Sequence, residues 1–369
     1  MLSVEPNVDP KNKPAFLLDW EITLKCNLNC SYCGPEYHDN STLHPPLDQC
    51  LETIDFMFEY VDLYMQYKSK WSRSVVMNVY GGESIFHPNI LEIHKTIKQK
   101  HLAYADQWDL LVQTTTNLTA GSNLIKKLSE HIDSWTASYH SENTRKQKLQ
   151  FQKNCLFLKQ QNKKLKVIVL MHPSKFEDSL SMIEFCKQHQ IDHLPRQLDD
   201  IHNWFPYNQT QIEWFDSFYN KKTYNAAEVK LDTEQSIMSK AGRACCGGRQ
   251  LCADSNFKNR NFFIPNEFTG WSCSVNWFFL YVKQFTGNVY FNKDCRMNLD
   301  NQVGPIGNLR DSKQIVDTLR KQLSTNTMPV ITCKKEKCYC GLCAPKAHNL
   351  ETFKSVFNKY LSANPLTHT

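Results

Sequence analysis

Residues 15–33, AFLLDWEITLKCNLNCSYC, run from an apolar, β-branched stretch directly into a loop carrying Cys26, Cys30 and Cys33. A short apolar run of this kind reads as a buried strand. The same signature returns at SVVMNVYGG (74–82), DLLVQTTTN (109–117), SWTASYH (134–140), LKVIVLMH (165–172) and IDHLPRQL (191–198). Between these runs the periodicity predicts helices over 47–65, 88–100, 122–132, 144–166 and 177–189. Strand followed by helix, repeated about six times, implies a parallel sheet with right-handed crossovers. The expected fold class is therefore α/β, a partial (β/α)6 TIM-like barrel over residues 15–200. Reactive groups in such folds gather at the carboxyl ends of the strands, and the thiol loop follows the first of them. Gly81, Gly82 and Glu83 follow the second, Thr116 and Asn117 end the third, and Ser138 lies near the end of the fourth.

Composition narrows the function classes. The 369 residues, 41% hydrophobic and 22% charged, are ordinary globular usage, and the length fits about two domains of roughly 150 residues. No apolar run approaches the roughly 20 residues of a membrane span, and the N-terminal MLSVEPNVDPKNKP lacks a signal pattern. A soluble, cytoplasmic chain is expected, without a membrane partner. The net charge of +6 is mild; the lysine-rich stretch 144–166 reads as a solvated helix face, which disfavours a nucleic-acid partner.

Fifteen cysteines in a reducing compartment are metal ligands, catalysts or small buried hydrophobes. Cys50, Cys155 and Cys186 fall on apolar helix faces and are expected in the core. The other twelve divide between residues 26–33 and 245–343. For the first group a structural zinc site needs a fourth ligand, and His38 is the nearby candidate. Iron–sulfur clusters are held by thiolates, and three thiolates on a four-iron cube leave one iron open. That second reading is the sharper one.

The motif CNLNCSYC, with Tyr32 before the third cysteine, resembles the CxxxCx(aromatic)C loop of the radical S-adenosylmethionine (SAM) superfamily. YGGES after the second strand and TTTNLT after the third resemble further motifs of that family, and the likeness spans about residues 15–200. The resemblance implies a SAM-binding [4Fe-4S] cluster on Cys26, Cys30 and Cys33. It places Tyr32, Gly81, Gly82, Glu83, Asn117 and Ser138 at the SAM, with Glu83 accepting the ammonium hydrogens and the glycines admitting the ligand. It implies reductive cleavage of SAM to a 5′-deoxyadenosyl radical that takes a hydrogen atom from the substrate. Arg196 and Asp199 are placed at the cavity by location alone.

After about residue 200 the rhythm stops, and residues 201–240 read as a connecting region. Residues 241–347 bear nine cysteines around an expected hairpin, WFFLYVKQFTGNVYF (277–291), and a helix, SKQIVDTLRKQL (312–323). This order resembles the cysteine-rich α+β auxiliary modules of radical SAM enzymes, a one-cluster twitch in preference to a two-cluster SPASM. At least one auxiliary [4Fe-4S] cluster is implied, with ligands from Cys273, Cys295, Cys333, Cys338, Cys340 and Cys343; spacing leaves open which four serve. Cys245, Cys246 and Cys252 raise a second cluster, and a zinc knuckle over 333–343 is the alternative. Residues 348–369 read as a tail.

The expected activity is oxidation or crosslinking of a peptide or protein side chain. The alternatives are dehydrogenation or rearrangement of a small metabolite such as a sugar or nucleotide, and a cluster- or zinc-binding protein without turnover. A reducing partner such as flavodoxin or ferredoxin is implied with the first two.

Overall fold

A computed structural model of the chain describes residues 15–34, 37–68, 73–198, 205–222, 270–273, 275–291, 304–325, 327–332, 346–347 and 349–351. Six strands, β1 (Phe16–Thr23), β2 (Ser74–Gly81), β3 (Asp109–Thr116), β4 (Ser134–His140), β5 (Lys164–Met171) and β6 (Asp192–Gln197), are parallel and pair in chain order. The crossovers carry α1 (Leu47–Lys68), α2 (Ile90–His101), α3 (Ser122–Leu128), α4 (Arg145–Gln160) and α5 (Phe176–Gln188). Each crossover advances the sheet by one strand in one direction, as in a βα barrel; a doubly wound sheet reverses. The α/β class and the mostly parallel core expected from sequence are present.

Local chemistry sets the element ends. α4 starts at Thr144, whose side chain and that of Gln147 form a capping box. It stops where Asn162 turns left-handed at φ 54°, as α5 does at Gln190 with φ 52°. α3 ends at Leu128, four residues short of the expected boundary, where the Ser129 hydroxyl donates to the Lys126 carbonyl at 2.7 Å. Such local bonding competes with helix continuation. Pro195 is tolerated in β6 because this strand closes one end of the sheet.

The sheet is two-faced. In β4, Trp135, Ala137 and Tyr139 are buried, and the Tyr139 ring meets Phe151 of α4 at 5.3 Å. Thr136, Ser138 and His140 alternate onto the opposite face, away from the helices. That face is polar elsewhere too: Asn78 donates to Asp19 at 3.1 Å, and Thr115 to Asn78 at 3.3 Å. Cys50, Cys155 and Cys186 are buried among the helices as anticipated, each worth a small hydrophobe's share of core packing.

Beyond β6 the structure departs from the sequence expectation twice. The stretch 201–240, read as a connecting region with no element assigned to it, contains helix α6 (Gln209–Lys222), whose Trp214 and Phe215 pack edge-on against Phe176 of α5 at 5.5 and 5.7 Å. Aromatic density hid its helical period. The second departure concerns β7 (Ser272–Cys273), β8 (Phe279–Lys283), β9 (Asn288–Tyr290) and β10 (Gly307–Asn308). The expected hairpin exists as β8 and β9, turning at Gly287 with φ 70°. However, β8 pairs in parallel with β1, extending the barrel sheet to nine strands in the order β10-β9-β8-β1-β2-β3-β4-β5-β6. Local patterning names a hairpin but carries no information about so distant a neighbour.

The expected C-terminal helix is α7 (Ser312–Ser324), which packs on α1, with Arg320 3.6 Å from Glu59. A separate small sheet places β7 between β11 (Ile331–Thr332) and β12 (Lys346–Ala347). Among the described residues no helix is long and apolar enough to cross a membrane.

Candidate metal centre

The loop after β1 is held to the loop after β2 by main chain. Gly82 N–H donates to Thr23 O at 2.8 Å, and Glu83 N–H to Lys25 O at 2.7 Å. A Cβ on Gly81 would lie 2.1 Å from Thr23 O, and one on Gly82 2.5 Å from the carbonyl oxygens of Leu24 and Lys25. Both clashes are with backbone, so glycine is obligatory at each position. The backbone of residues 23–25 therefore occupies the side of this turn on which a Cβ would stand.

Glu83 is 1% exposed. Its carboxylate accepts the N–H groups of Ile85, at 3.2 Å, and of Asn117, fixing the turn after β2 to the end of β3. Burial pushes its pKa up to about 7, against the opposing pull of these N–H groups. Asn117 then reaches the thiol loop: its side-chain amide donates to Asn27 Oδ1 at 2.8 Å and approaches Cys26 Sγ at 3.8 Å. Leu118, which follows Asn117 in TTTNLT, is buried with φ 51°, a conformation that costs a non-glycine residue about 1 kcal/mol or more.

The three thiols have different surroundings. Cys26 Sγ also accepts the Leu28 N–H at 3.4 Å, while Cys26 N–H donates to Asn40 Oδ1 at 3.0 Å. Cys30 Sγ lies 3.3 Å from His140 Nδ1, and Tyr32 OH lies 2.7 Å from the same nitrogen and hydrogen-bonds the Cys30 sulfur. Cys33 is exposed, its N–H donating to Cys30 O at 3.1 Å. Ser31 anchors the loop's far side, donating from both N–H and hydroxyl to Glu142 at 2.8 Å. The Tyr32 ring stacks on His140 at 6.0 Å and meets His172 and Phe205.

Burial raises the Cys26 thiol and pushes Cys30 up to about 12, and it lowers His140 to about 4. Without a cation these groups are neutral; a thiolate here requires positive charge beside it. The donor set suits an iron–sulfur cluster, since sulfur atoms already face N–H and O–H donors of the kind that stabilise ligating thiolates. Among the described residues, no three His, Cys, Asp or Glu side chains gather closely enough to share one ion.

The fold thus gathers Cys26, Cys30, Cys33, Tyr32, Gly81, Gly82, Glu83 and Asn117 at one rim. Ser138 lies two residues before His140 on the same face of β4, and Arg196, exposed on β6, follows His140 and Leu170 across that face. Asp199 lies outside the described residues, as do Cys245, Cys246, Cys252, Cys295, Cys333, Cys338, Cys340 and Cys343. Cys273 is buried in β7, in register with Ile331 of β11 and Lys346 of β12. Sequence reasoning missed Asn40, which holds the loop from later in the same connection between β1 and α1, and His140, Glu142 and His172, which reach it from the ends of β4 and β5. For the last three the one available signal was position: a polar residue at or just after the end of a strand.

No protein-family model and no curated protein matches the sequence. Solved structures do match by fold. One is anSMEcpe with bound AdoMet and Kp18Cys peptide, at 14% identity and a TM-score of 0.53, covering 95% of this chain and 96% of that one. The same protein with AdoMet alone gives a TM-score of 0.52. SuiB of Streptococcus suis, bound to S-adenosylmethionine, matches at 11% identity and 0.49 over 83% of this chain, which spans 65% of SuiB's length. At such identities the likeness to anSMEcpe is one of fold.

Proposed function

We propose that the chain is a radical SAM enzyme that oxidises or crosslinks a side chain of a peptide or protein. The observation that carries this reading is the Cys26–Cys30–Cys33 loop, pinned at the rim by Gly82, Glu83, Asn117 and Glu142. Cys26, Cys30 and Cys33 would hold a [4Fe-4S] cluster. When bound, cluster and SAM supply one-electron cleavage of a sulfonium carbon–sulfur bond and hydrogen-atom removal from substrate.

The chain's own residues bind and orient. Asn117 and Leu28 direct N–H groups at Cys26, and Tyr32, held by His140, directs its hydroxyl at Cys30. Glu83 holds the glycine turn by two backbone amides and keeps lone pairs that can accept from an ammonium. Tyr32, Gly81, Gly82, Asn117 and Ser138 complete the proposed SAM contacts. The polar inner face of β1–β4 gives a peptide hydrogen-bonding partners, and the peptide bound to the fold relative anSMEcpe supports that substrate class.

An auxiliary [4Fe-4S] cluster in residues 241–347 belongs to the same proposal. Its support is the pairing of β11 and β12 with β7, which brings Thr332 and Lys346, flanking the Cys333–Cys343 stretch, to the strand that ends in Cys273.

The test is anaerobic reconstitution with iron and sulfide, then dithionite and SAM. Formation of 5′-deoxyadenosine that disappears in Cys30→Ala is expected. Its absence from a fully iron-loaded chain sinks the enzyme reading and leaves a metal-binding protein. Turnover without a peptide, on sugars or nucleotides alone, transfers the reading to small metabolites.

A further inference from the structure

One nitrogen beside the thiol loop is engaged twice. His140, the last residue of β4, places Nδ1 2.7 Å from the Tyr32 hydroxyl and 3.3 Å from Cys30 Sγ, and that hydroxyl itself hydrogen-bonds the sulfur. A polar side chain at a strand end is satisfied by one partner, and Tyr32 alone would serve. The second reach comes with the way the rings are held. The Tyr32 and His140 planes lie 3° from parallel at 6.0 Å, while His172 and Phe205 meet the same tyrosine tilted and edge-on at 6.0 and 6.2 Å. His172 is placed in turn by Ser174, whose N–H donates to its Nδ1 at 3.2 Å. A hydroxyl whose ring is held by three others loses little further freedom when it donates.

Counting protons fixes the direction of these bonds when Cys30 ligates iron. A ligating sulfur is a thiolate, which accepts and cannot donate. Tyr32 has a single hydroxyl proton, and the sulfur takes it. The phenol oxygen then faces Nδ1 at 2.7 Å as an acceptor, so Nδ1 must carry a proton and His140 is the Nδ1–H tautomer. The same N–H lies within reach of the sulfur. Donors of this kind favour the more negative, reduced state of a cluster over the oxidised one, and so raise its potential.

We propose that His140 is a positioning residue for the reductive step: it turns the Tyr32 hydroxyl onto Cys30 and, with it, holds up the reduction potential of the cluster that this loop carries. The inference rests on the function proposed above, which supplies the cluster. Removing either donor leaves the thiolate charge less compensated, and the cost falls mainly on the reduced state. No proton or covalent bond changes hands in the step; one electron passes from an external reductant to the cluster.

The test is a redox titration of the anaerobically reconstituted full chain with dithionite, followed by electron paramagnetic resonance, with iron per chain measured alongside. The signal that belongs to this loop is the one lost in Cys30→Ala. At the wild-type midpoint, the ratio of reduced to oxidised cluster is expected to fall about tenfold in Tyr32→Phe and in His140→Leu, the size of one hydrogen bond to a charged group and a downward shift of about 59 mV for one electron. His140→Asn keeps an amide donor near the place of Nδ1 and should restore most of the ratio. Ratios within about twofold of wild type in both Tyr32→Phe and His140→Leu, at full iron loading, overturn the proposal; so does a fall in Tyr32→Phe that His140→Leu does not share. If His140→Leu loads no iron, His140→Asn decides, and a ratio as low as that of Tyr32→Phe counts against the proposal. A wild-type chain that loads no cluster rejects the function proposed above and this inference with it. Shifted potentials in a loaded chain that makes no 5′-deoxyadenosine reject the function alone.

Discussion

Two missing methyl groups let the thiol loop lie where it does. Gly81→Ala or Gly82→Ala drives a Cβ into the carbonyls of Thr23, Leu24 or Lys25, and backbone cannot yield as a flexible side chain can. We expect each to cost about 3 kcal/mol or more in denaturant unfolding of the metal-free chain, and to lower iron bound after reconstitution; a full iron complement in either variant refutes the obligatory crossing. Glu83→Ala strands the N–H groups of Ile85 and Asn117, worth about 1–3 kcal/mol each when left buried and unpaired, and should be nearly as damaging by the same assay. Tyr32→Phe removes a single hydroxyl between Cys30 and His140, for which about 1 kcal/mol is expected. At this scale the sequence was most legible where function is local. The spacing of Cys26, Cys30 and Cys33 and the Gly81–Gly82–Glu83 triplet are contiguous patterns. His140 and Glu142 were not legible, because what they touch is chosen by the packing of β4 against a loop more than a hundred residues away.

Among the elements, α2 carries the clearest pH signature. His94 is wholly buried, neither ring nitrogen has a hydrogen-bond partner among the described residues, and burial lowers its pKa to about 3, with His131 and Lys98 adding to the fall. A folded-state pKa below the unfolded value of about 6.5 means that the unfolded chain binds the proton more readily. Stability from this site is complete above pH 6.5 and declines as pH falls toward 3, by about 2 kcal/mol at pH 5. His94→Leu should flatten that dependence, raising Tm relative to wild type at pH 5 more than at pH 8; parallel Tm curves for the two proteins contradict the assignment. All six barrel strands and their five helices were legible because each declares itself by local period and turn residues. α6 was not, since Trp214, Phe215 and Phe218 stack among themselves and against α5 in a way that mutes any single-face pattern.

For the whole molecule, the least expected feature is the seam between β1 and β8. It is closed by side chains as well as main chain: Trp20 Nε1 donates to Gln284 Oε1 at 2.9 Å, and the Tyr281 hydroxyl donates to the buried Glu21 carboxylate. Tyr281→Phe leaves that carboxylate with one donor fewer and should cost about 2 kcal/mol. Because the seam joins strands more than 250 residues apart into one sheet, the loss should appear as a shift of one cooperative transition followed equally by far-ultraviolet circular dichroism and tryptophan fluorescence. Two separate transitions would mean that the C-terminal strands fold apart from the barrel. Nothing in the sequence announces the seam, since a strand's partner is fixed by topology and not by its own residues.

The seam also constrains biosynthesis. Trp20 and Gln284 are 264 positions apart, and translation proceeds at about 5–20 residues per second. The strand that leads into the thiols therefore waits on the ribosome for roughly 13–50 seconds with one flank unsatisfied. For that interval the nascent chain presents an open, strongly apolar edge that chaperones or other emerging chains can seize.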